Sequence, residues 1–277
     1  MSDDSLREIV DFYTQTHEEA RLVTGSSLLE FERTKELLCR FLPLPPATVM
    51  DVGGASGPYA FWLAGLGYTV HLVDATPRLI ELARQQDAQA ARRLASITVG
   101  DARYLSLADM STDAVLLLGP LYHLTEHADR LAALAEARRV LRPGGAFVFN
   151  AWDRIECNEF PLAVTDALAE VFPADPPRFM ARVPHGYHDA AVIARDVTLG
   201  GFASHALDTV PARARAESAR VPAIAFCQGT PVRNEIESRD ASKLASATDA
   251  AARMIADRFG SGAVEGAIQA HVIVARL

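Results

Sequence analysis

The chain has 277 residues, of which 49% are hydrophobic and 22% are charged, so it is long enough for one elaborated α/β domain or two small ones. Its formal net charge of −8 disfavours nucleic acid as a partner, and no apolar run approaches the length of a membrane span. The acidic start lacks a signal-peptide pattern, and we therefore expect a cytoplasmic protein with no membrane association.

The first predicted element is a helical arm over residues 1–46. Ser27 and Glu30 have the spacing of a capping box, and they open a helix whose apolar positions include Phe31, Leu38 and Phe41. The remaining residues, 47–277, are predicted to form the core of a single structural domain.

Strand and helix patterns then alternate up to about residue 150. Short apolar runs rich in β-branched residues predict strands over residues 48–52, 69–73, 97–99, 114–118 and 146–150. The helices between them begin at Pro58, at Pro77 behind a Thr76 N-cap, and before the Leu131 to Leu141 stripe that "RPGG" ends. This alternation predicts right-handed crossovers and a doubly wound, mostly parallel sheet.

The second half of the chain is less regular. Residues 152–190 mix Pro, Trp, His and Tyr, which predicts an irregular insertion over the active site. We expect strands at 201–210 and 267–277, a helix at 243–259 within a helical insertion over about 215–262, and a solvated face at 211–220. These strands bring the sheet to seven.

The turn after the first strand, "DVGGASG", is the first candidate binding element. Gly53, Gly54 and Gly57 permit positive φ and close approach of a ligand, but their order does not match the G-x-G-x-x-G fingerprint of dinucleotides. Asp51 precedes them, and Asp74 and Asp101 end the next two strands. Carboxylates at strand ends favour a cationic ligand with a ribose over a pyrophosphate.

These ordered motifs resemble the class I S-adenosylmethionine-dependent methyltransferases, especially the bacterial small-molecule branch. The resemblance is carried by "VMDVGGASG", "VHLVDATP", "VGDA", "AVLLLGPLYHL" and "EARRVLRPGGAFVF", and it is strongest over residues 12–150. It implies a Rossmann-like fold and an enzyme that transfers a methyl group from S-adenosylmethionine to a small molecule, with S-adenosylhomocysteine as product.

The resemblance also implies roles for individual residues. The ribose hydroxyls are expected at Asp74 with Ala75, and the adenine amine at Asp101 with Ala102. Residues expected to line the rest of the donor site are Tyr13 and Arg33 of the arm, Asp51, Gly53, Gly54, Ala55 and Gly57 of the glycine turn, and Leu118 and Gly119 after the fourth strand.

Tyr122 and His123 follow the fourth strand at the rim of the expected crevice, and they are the candidate catalytic residues. His123, with a pKa expected near the working pH, is the best-placed general base if the acceptor must lose a proton, although capping or packing of the next helix explains it equally well. Trp152, His185 and Tyr187 are candidates for the acceptor pocket, with an ordinary loop role as the alternative for each.

Three cysteines, Cys39, Cys157 and Cys227, lie far apart without a C-x-x-C pair, so we expect neither a disulfide framework nor a metal site. Two further functions stay open from the residues alone. One is a nicotinamide-dependent oxidoreductase, disfavoured by the glycine spacing and the lack of a Tyr-x-x-x-Lys pair. The other is a non-catalytic sensor that binds the methyl donor. The sequence identifies neither the acceptor nor the oligomeric state.

Overall fold

The computed structural model describes Thr14 and residues 27–277, with side chains from residue 31 onward in the latter range. Tyr13 and the rest of the predicted arm before Ser27 lie outside the described residues, Thr14 apart. Among the described helices, none is long and apolar enough to cross a membrane.

Within the described residues, seven strands form one sheet in the order β3-β2-β1-β4-β5-β7-β6. The pairs β1/β2, β1/β4, β2/β3 and β4/β5 are parallel. The predicted Rossmann-like sheet is therefore confirmed. The strands are β1 Thr48–Val52, β2 Thr69–Asp74, β3 Ser96–Val99, β4 Thr112–Leu117, β5 Leu141–Trp152, β6 Ser204–Ala216 and β7 Val264–Arg276.

Helices connect these strands, and several begin or end at residues that the sequence marks. Pro58 starts one helix behind Gly57, and Gly67 ends it with a φ of 101°. The α-helices are α1 Ser27–Phe41, α2 Pro58–Leu66, α3 Pro77–Gln89, α4 Pro120–His123, α5 His127–Val140, α6 Glu159–Val171, α7 Phe179–Arg182, α8 Ala190–Leu199, α9 Arg220–Gly229, α10 Val232–Asp240 and α11 Leu244–Phe259.

The chain divides into two compact units. The first contains the described residues up to Asn150, together with Ala190–Asp208 and Val272–Leu277. Its core lies between the parallel strands and α1, α2 and α3, and it includes Val49, Leu63, Leu72, Ile80, Leu116 and Val148. This unit holds the predicted donor-binding motifs.

The second unit contains Ala151–Asp189 and Thr209–His271, and so takes in nearly all of the two predicted insertions. The expectation that residues 152–190 are irregular is wrong for their middle part, where α6 forms. Pro161 stands in the first turn of that helix, where no backbone hydrogen bond is lost. Phe160, Val164, Ala167 and Leu168 make the buried stripe that holds α6 in the core of this unit.

The predicted boundaries differ from the observed ones mainly at the last three strands. The strand β5 extends from Leu141 to Trp152, where the sequence predicts 146–150, and β6 continues to Ala216. The predicted solvated face at 211–220 therefore includes an exposed strand end, at which Arg213 and Arg215 pair with Glu265 of β7. Predicted helix 243–259 is confirmed as α11.

Candidate functional site

The loop between β1 and α2 is tied to the end of β2 by its backbone. The Gly53 N–H donates to the carbonyl oxygen of Val73 at 2.7 Å, and the Ala55 N–H donates to Oδ2 of Asp74 at 2.8 Å. Gly53, Ala55 and Gly57 have φ values of 70°, 53° and 87°. This run of left-handed residues turns the chain sharply into α2.

Side chains are excluded from the centre of this loop by its neighbours. A Cβ on Gly53 would overlap Cγ of Pro120, and a Cβ on Gly54 would lie 2.5 Å from Oδ2 of Asp51 and 2.6 Å from Cδ1 of Leu72. The loop backbone therefore packs directly on β1, on β2 and on Pro120, the first residue of α4. Glycine is the residue type that fits there.

Asp51 lies beneath the loop, and its side chain is only 1% exposed. Within the described part of the chain, its Oδ2 has no hydrogen-bond partner. Burial, and then the negative charge of Asp74, raise the pKa of Asp51 to about 7, against a smaller lowering by the Ala60 N–H. Such a carboxylate has an unmet requirement for a positive charge or a hydrogen-bond donor.

Asp74 ends β2 and accepts two backbone hydrogen bonds. Its Oδ1 accepts from the Thr76 N–H and its Oδ2 from the Ala55 N–H, each at 2.8 Å. Burial raises the pKa of Asp74 despite these bonds. With the Thr76 hydroxyl as a third donor, the carboxylate keeps about one lone pair for a further donor such as a ribose hydroxyl. Ala75, next to it, is half-buried.

Thr76 occupies the N-cap position of α3 as predicted, but its side chain makes no capping hydrogen bond. Its hydroxyl bonds instead to Asp74, where it lowers the pKa of that carboxyl. The Thr76 hydroxyl thus holds the Asp74 carboxylate and does not cap the helix.

Asp101, with the half-buried Ala102 beside it, follows β3 and is paired more fully than the sequence suggests. Both carboxylate oxygens contact Nε of Arg103 at 3.0 Å, and Oδ2 also contacts Nη2 at 2.5 Å. Arg103 reaches on to Oδ1 of Asp129 on α5 at 3.0 Å. Sequence reasoning missed Arg103 and Asp129, and the only local signal was an arginine two residues after the acid.

The segment after β4 places Leu118, Gly119, Tyr122 and His123 near one another. Gly119 has a φ of 128°, and the Tyr122 hydroxyl would lie 3.4 Å from a Cβ at that position. The rings of Tyr122 and His123 are 4.7 Å apart. Burial lowers the pKa of His123 to about 4, so the expectation of a pKa near neutrality is wrong.

Arg33 lies on the exposed face of α1, where its guanidinium pairs with Oε2 of Glu36 at 2.5 Å. Its predicted partner in the arm, Tyr13, is outside the described residues. The role of both residues at the methionine end of a donor stays a prediction.

Trp152, His185 and Tyr187 all belong to the second unit. The Trp152 and His185 rings are 6.2 Å apart, and Tyr187 is buried two residues further on. His185 Nδ1 lies 2.7 Å from the Asp153 carbonyl oxygen, which can only accept, so this nitrogen carries the proton. Burial lowers the pKa of His185 and favours the neutral ring. Their contact with an acceptor stays a prediction.

The residues at the ends of β1 and β2 fit S-adenosylmethionine better than a dinucleotide. A pyrophosphate would be repelled by the buried Asp51 and Asp74, whereas an ammonium or a sulfonium is attracted. The closely packed glycine backbone and an acid at the end of β2 suit a nucleoside with a free ribose. The fold is that of the Rossmann-like methyltransferases, and these residues suit the same class of α/β domain.

Comparison with known proteins also points to methyltransferases. Residues 50–149 match the family described as "Methyltransferase domain", and this segment is similar to class I S-adenosylmethionine-dependent methyltransferases of bacterial type. It is 32% identical over 146 residues to the ubiquinone/menaquinone biosynthesis C-methyltransferase UbiE of Caulobacter vibrioides, an alignment covering 49% of this chain and 52% of that protein. The chain spans about half the length of the curated relatives it matches.

Solved structures share the fold. The YcgJ protein from Bacillus subtilis has a TM-score of 0.59 at 16% identity, over 88% of this chain and 97% of that one. A phosphoethanolamine N-methyltransferase 2 from Haemonchus contortus, in complex with phosphomonomethylethanolamine and S-adenosylhomocysteine, has a TM-score of 0.56 at 16% identity, over 89% of this chain and 52% of that one. At these identities the likeness establishes the architecture alone.

Proposed function

We propose that the protein is an enzyme that transfers the methyl group of S-adenosylmethionine to a small-molecule acceptor. The observation that carries this proposal is the buried Asp51 carboxylate, whose Oδ2 has no partner within the described residues and which lies against the glycine loop. A cationic ligand answers that requirement, and neither a phosphate nor an apolar group does.

The chain's own residues supply recognition at three strand ends. Asp51 and the backbone of Gly53, Gly54, Ala55 and Gly57 hold the methionine end. Asp74 has a remaining lone pair for a ribose hydroxyl, beside Ala75. Asp101, with Ala102, accepts from the adenine amine, and Leu118 and Gly119 line the remaining side.

The donor, when bound, supplies an electrophilic methyl group on a positively charged sulfur. The contribution of the protein is then to orient the reactants and to exclude water. His123 is a weak base because burial keeps its ring neutral. We therefore propose Tyr122 and His123 as residues that shape the site, so that their substitution lowers the rate without changing its pH dependence near neutrality.

The acceptor is proposed as a small molecule methylated at carbon, oxygen or nitrogen. The named relative is a C-methyltransferase of ubiquinone/menaquinone biosynthesis, and its alignment with this chain spans about half of each protein. Quinol-like aromatic rings are therefore the first acceptors to test. Trp152, His185 and Tyr187 are the proposed acceptor contacts, and each substitution is expected to raise KM for the acceptor without weakening donor binding.

Calorimetry with S-adenosylhomocysteine tests the proposal directly. Asp74→Asn is expected to weaken binding about tenfold or more, since one charged acceptor of the ribose becomes a neutral amide. The matched control is Asp113→Asn at the start of β4, where the carboxylate also accepts a backbone N–H, from Thr48, at the opposite edge of the sheet. This control is expected to lower stability and leave the affinity unchanged.

Turnover is tested with methyl-labelled donor and a panel of quinols, phenols and amines. Label in a product extends the binding result to an enzyme. Absence of binding by the wild-type protein to both S-adenosylmethionine and S-adenosylhomocysteine would overturn the proposal. Binding without label transfer to any acceptor in a metabolite extract would contradict the enzyme assignment.

A further inference from the structure

Arg103 is the most deeply buried cation of the first unit among the residues that the structure describes, with 5% of its side chain exposed. It lies just after β3, in the loop that carries Asp101. The contacts that the proposed donor site needs do not include it. A buried guanidinium costs folding free energy unless carboxylates neutralise it.

Two carboxylates neutralise Arg103 from different elements. Asp101 belongs to the same loop, and Asp129 stands in the first turn of α5. The Arg103 N–H also donates to Oδ1 of Asp101 at 2.9 Å. Both the backbone and the side chain of Arg103 thus donate hydrogen bonds to Asp101. Arg103 is in turn paired with Asp129 of α5.

The hydrogen bonds from Arg103 fix the direction in which Asp101 can accept further hydrogen bonds. A carboxylate has about four lone-pair positions, and three N–H groups of Arg103 donate to that of Asp101: the backbone N–H, the Nε–H shared between both oxygens, and Nη2. About one position is left for another donor. The Asp101 side chain is 22% exposed in its ion pair, whereas that of Arg103 is 5% exposed. The open edge of the carboxylate is therefore the one turned away from the guanidinium.

We propose that Arg103, anchored by Asp129, is a positioning residue that sets the purine specificity of the donor site by holding the Asp101 carboxylate in one orientation toward the 6-amino group. This rests on the proposed function. An amine at position 6 donates to the open edge, whereas an oxo group presents a second acceptor and is repelled. The ratio of affinities for the two purines is the property that Arg103 controls.

The test compares S-adenosylhomocysteine with S-inosylhomocysteine, its 6-oxo analogue, by calorimetry. Wild-type protein is expected to prefer the amino purine by at least about tenfold, the range of one hydrogen bond to a charged group. Arg103→Met keeps an unbranched apolar side chain and removes the guanidinium with its charge, and the preference is expected to fall at least fivefold. Arg103→Lys keeps the positive charge, and Asp129→Asn keeps the contacts of Arg103 with Asp101. Both variants are therefore expected to give intermediate ratios of affinity for the two purines.

The matched control is Arg142→Met. Arg142 contacts Oδ1 of Asp113 at 2.7 Å at the opposite edge of the sheet, so the substitution breaks an arginine–carboxylate pair away from the site. A purely structural role for Arg103 would lower thermal stability and weaken both ligands equally, which leaves the ratio unchanged. The ratio is therefore the readout that separates positioning from folding.

Three outcomes are distinguishable. If Asp101→Ala abolishes the preference but Arg103→Met and Arg103→Lys leave it within twofold of wild type, Asp101 acts alone and the inference is wrong. If Asp101→Ala itself leaves the preference unchanged, the carboxylate does not meet the purine and the inference is equally wrong. If wild-type protein binds neither ligand, the proposed function fails before the inference is reached. Should Arg103→Met not fold, Arg103→Lys and Asp129→Asn give the same decision.

Discussion

At the residue scale, the unusual group is the buried acid under the glycine loop. Burial raises the pKa of both Asp51 and Asp74, and the negative charge of Asp74 raises that of Asp51 further. Folding keeps both acids in place although each costs stability when ionised. Binding sites commonly retain groups of this kind, because the ligand supplies the missing partner.

Asp51 should make the ligand-free protein less stable as the pH rises. Its pKa is about 7 in the folded state against an ordinary value of 3.8, so between these values the folded state holds a proton that the unfolded state has lost. Stability therefore falls across that window and levels off above it. Between pH 5 and pH 8, Asp51→Asn should gain about 2–3 kcal/mol relative to wild type in urea unfolding. A constant difference would contradict the buried, protonated acid.

Gly54 offers a second test at this scale. Gly54→Ala places a methyl group within 2.6 Å of Asp51 and Leu72, both buried, and is expected to cost about 1–3 kcal/mol of stability. Gly65→Ala is the control, since Gly65 is an exposed position of α2 with nothing within 4 Å of an added Cβ, and alanine favours a helix. Thermal melts should move in opposite directions. Equal shifts of the two melting temperatures would show that the loop moves to accommodate the added methyl group.

At the element scale, the helix α8 is joined to α5 by a buried acid. Asp196 is fully buried, and its carboxylate contacts Nε2 of His127 at 2.9 Å and Nε of Arg130 at 3.5 Å. Arg130 also donates to the carbonyl oxygens of Leu124 and Thr125. The segment that follows β4 and carries Tyr122 and His123 is thereby anchored by helices outside it.

Asp196→Ala should therefore destabilise the first unit by about 3–5 kcal/mol, because the mostly buried Arg130 loses its carboxylate. The comparison variant is Glu237→Ala on α10, which breaks an exposed pair with Arg233 and should cost less than about 1 kcal/mol. Chemical denaturation measures both. A cost for Asp196→Ala as small as that of the control would show that Arg130 is held by the carbonyls alone.

At the scale of the whole molecule, the donor-binding motifs all fall within the first unit, and the acceptor candidates fall within the second. Within the first unit the parallel strands place their carboxyl ends at one edge, and that edge holds Asp51, Asp74 and Asp101. The amino ends of β4 and β5 hold the ion pair of Arg142 with Asp113. Binding should therefore affect the two edges unequally.

Hydrogen exchange read by mass spectrometry checks this asymmetry. Addition of S-adenosylhomocysteine should slow exchange in residues 53–57, 74–76 and 101–103, because a ligand that binds only the folded state suppresses local opening around it. The starts of β1, β4 and β5 should change little. Uniform protection across the first unit would indicate global stabilisation and would contradict a site confined to one edge.

Much of the fold was accessible from the sequence because its signals are local. Apolar runs, Pro58 and Pro77, and the glycines at turns each act through the backbone of a few neighbouring residues. The helix α6 was not predicted because Pro161, a residue that usually interrupts helices, lies in its first turn. Its buried stripe is recognisable only from its packing in the core of the second unit. Strand ends shifted for the same reason, since β5 and β6 are extended by pairing with neighbours distant in sequence.

The sequence by itself determined the order of the strands and helices, the glycine loop, and the acids at three strand ends that resemble a methyl-donor site. Only the tertiary structure decided how those acids behave. It buried Asp51 beside Asp74, tied Asp101 to Arg103 and Asp129, and enclosed His123 so that its pKa fell to about 4. Burial and charge depend on which distant residues surround a group, and a pattern along the chain does not contain that information.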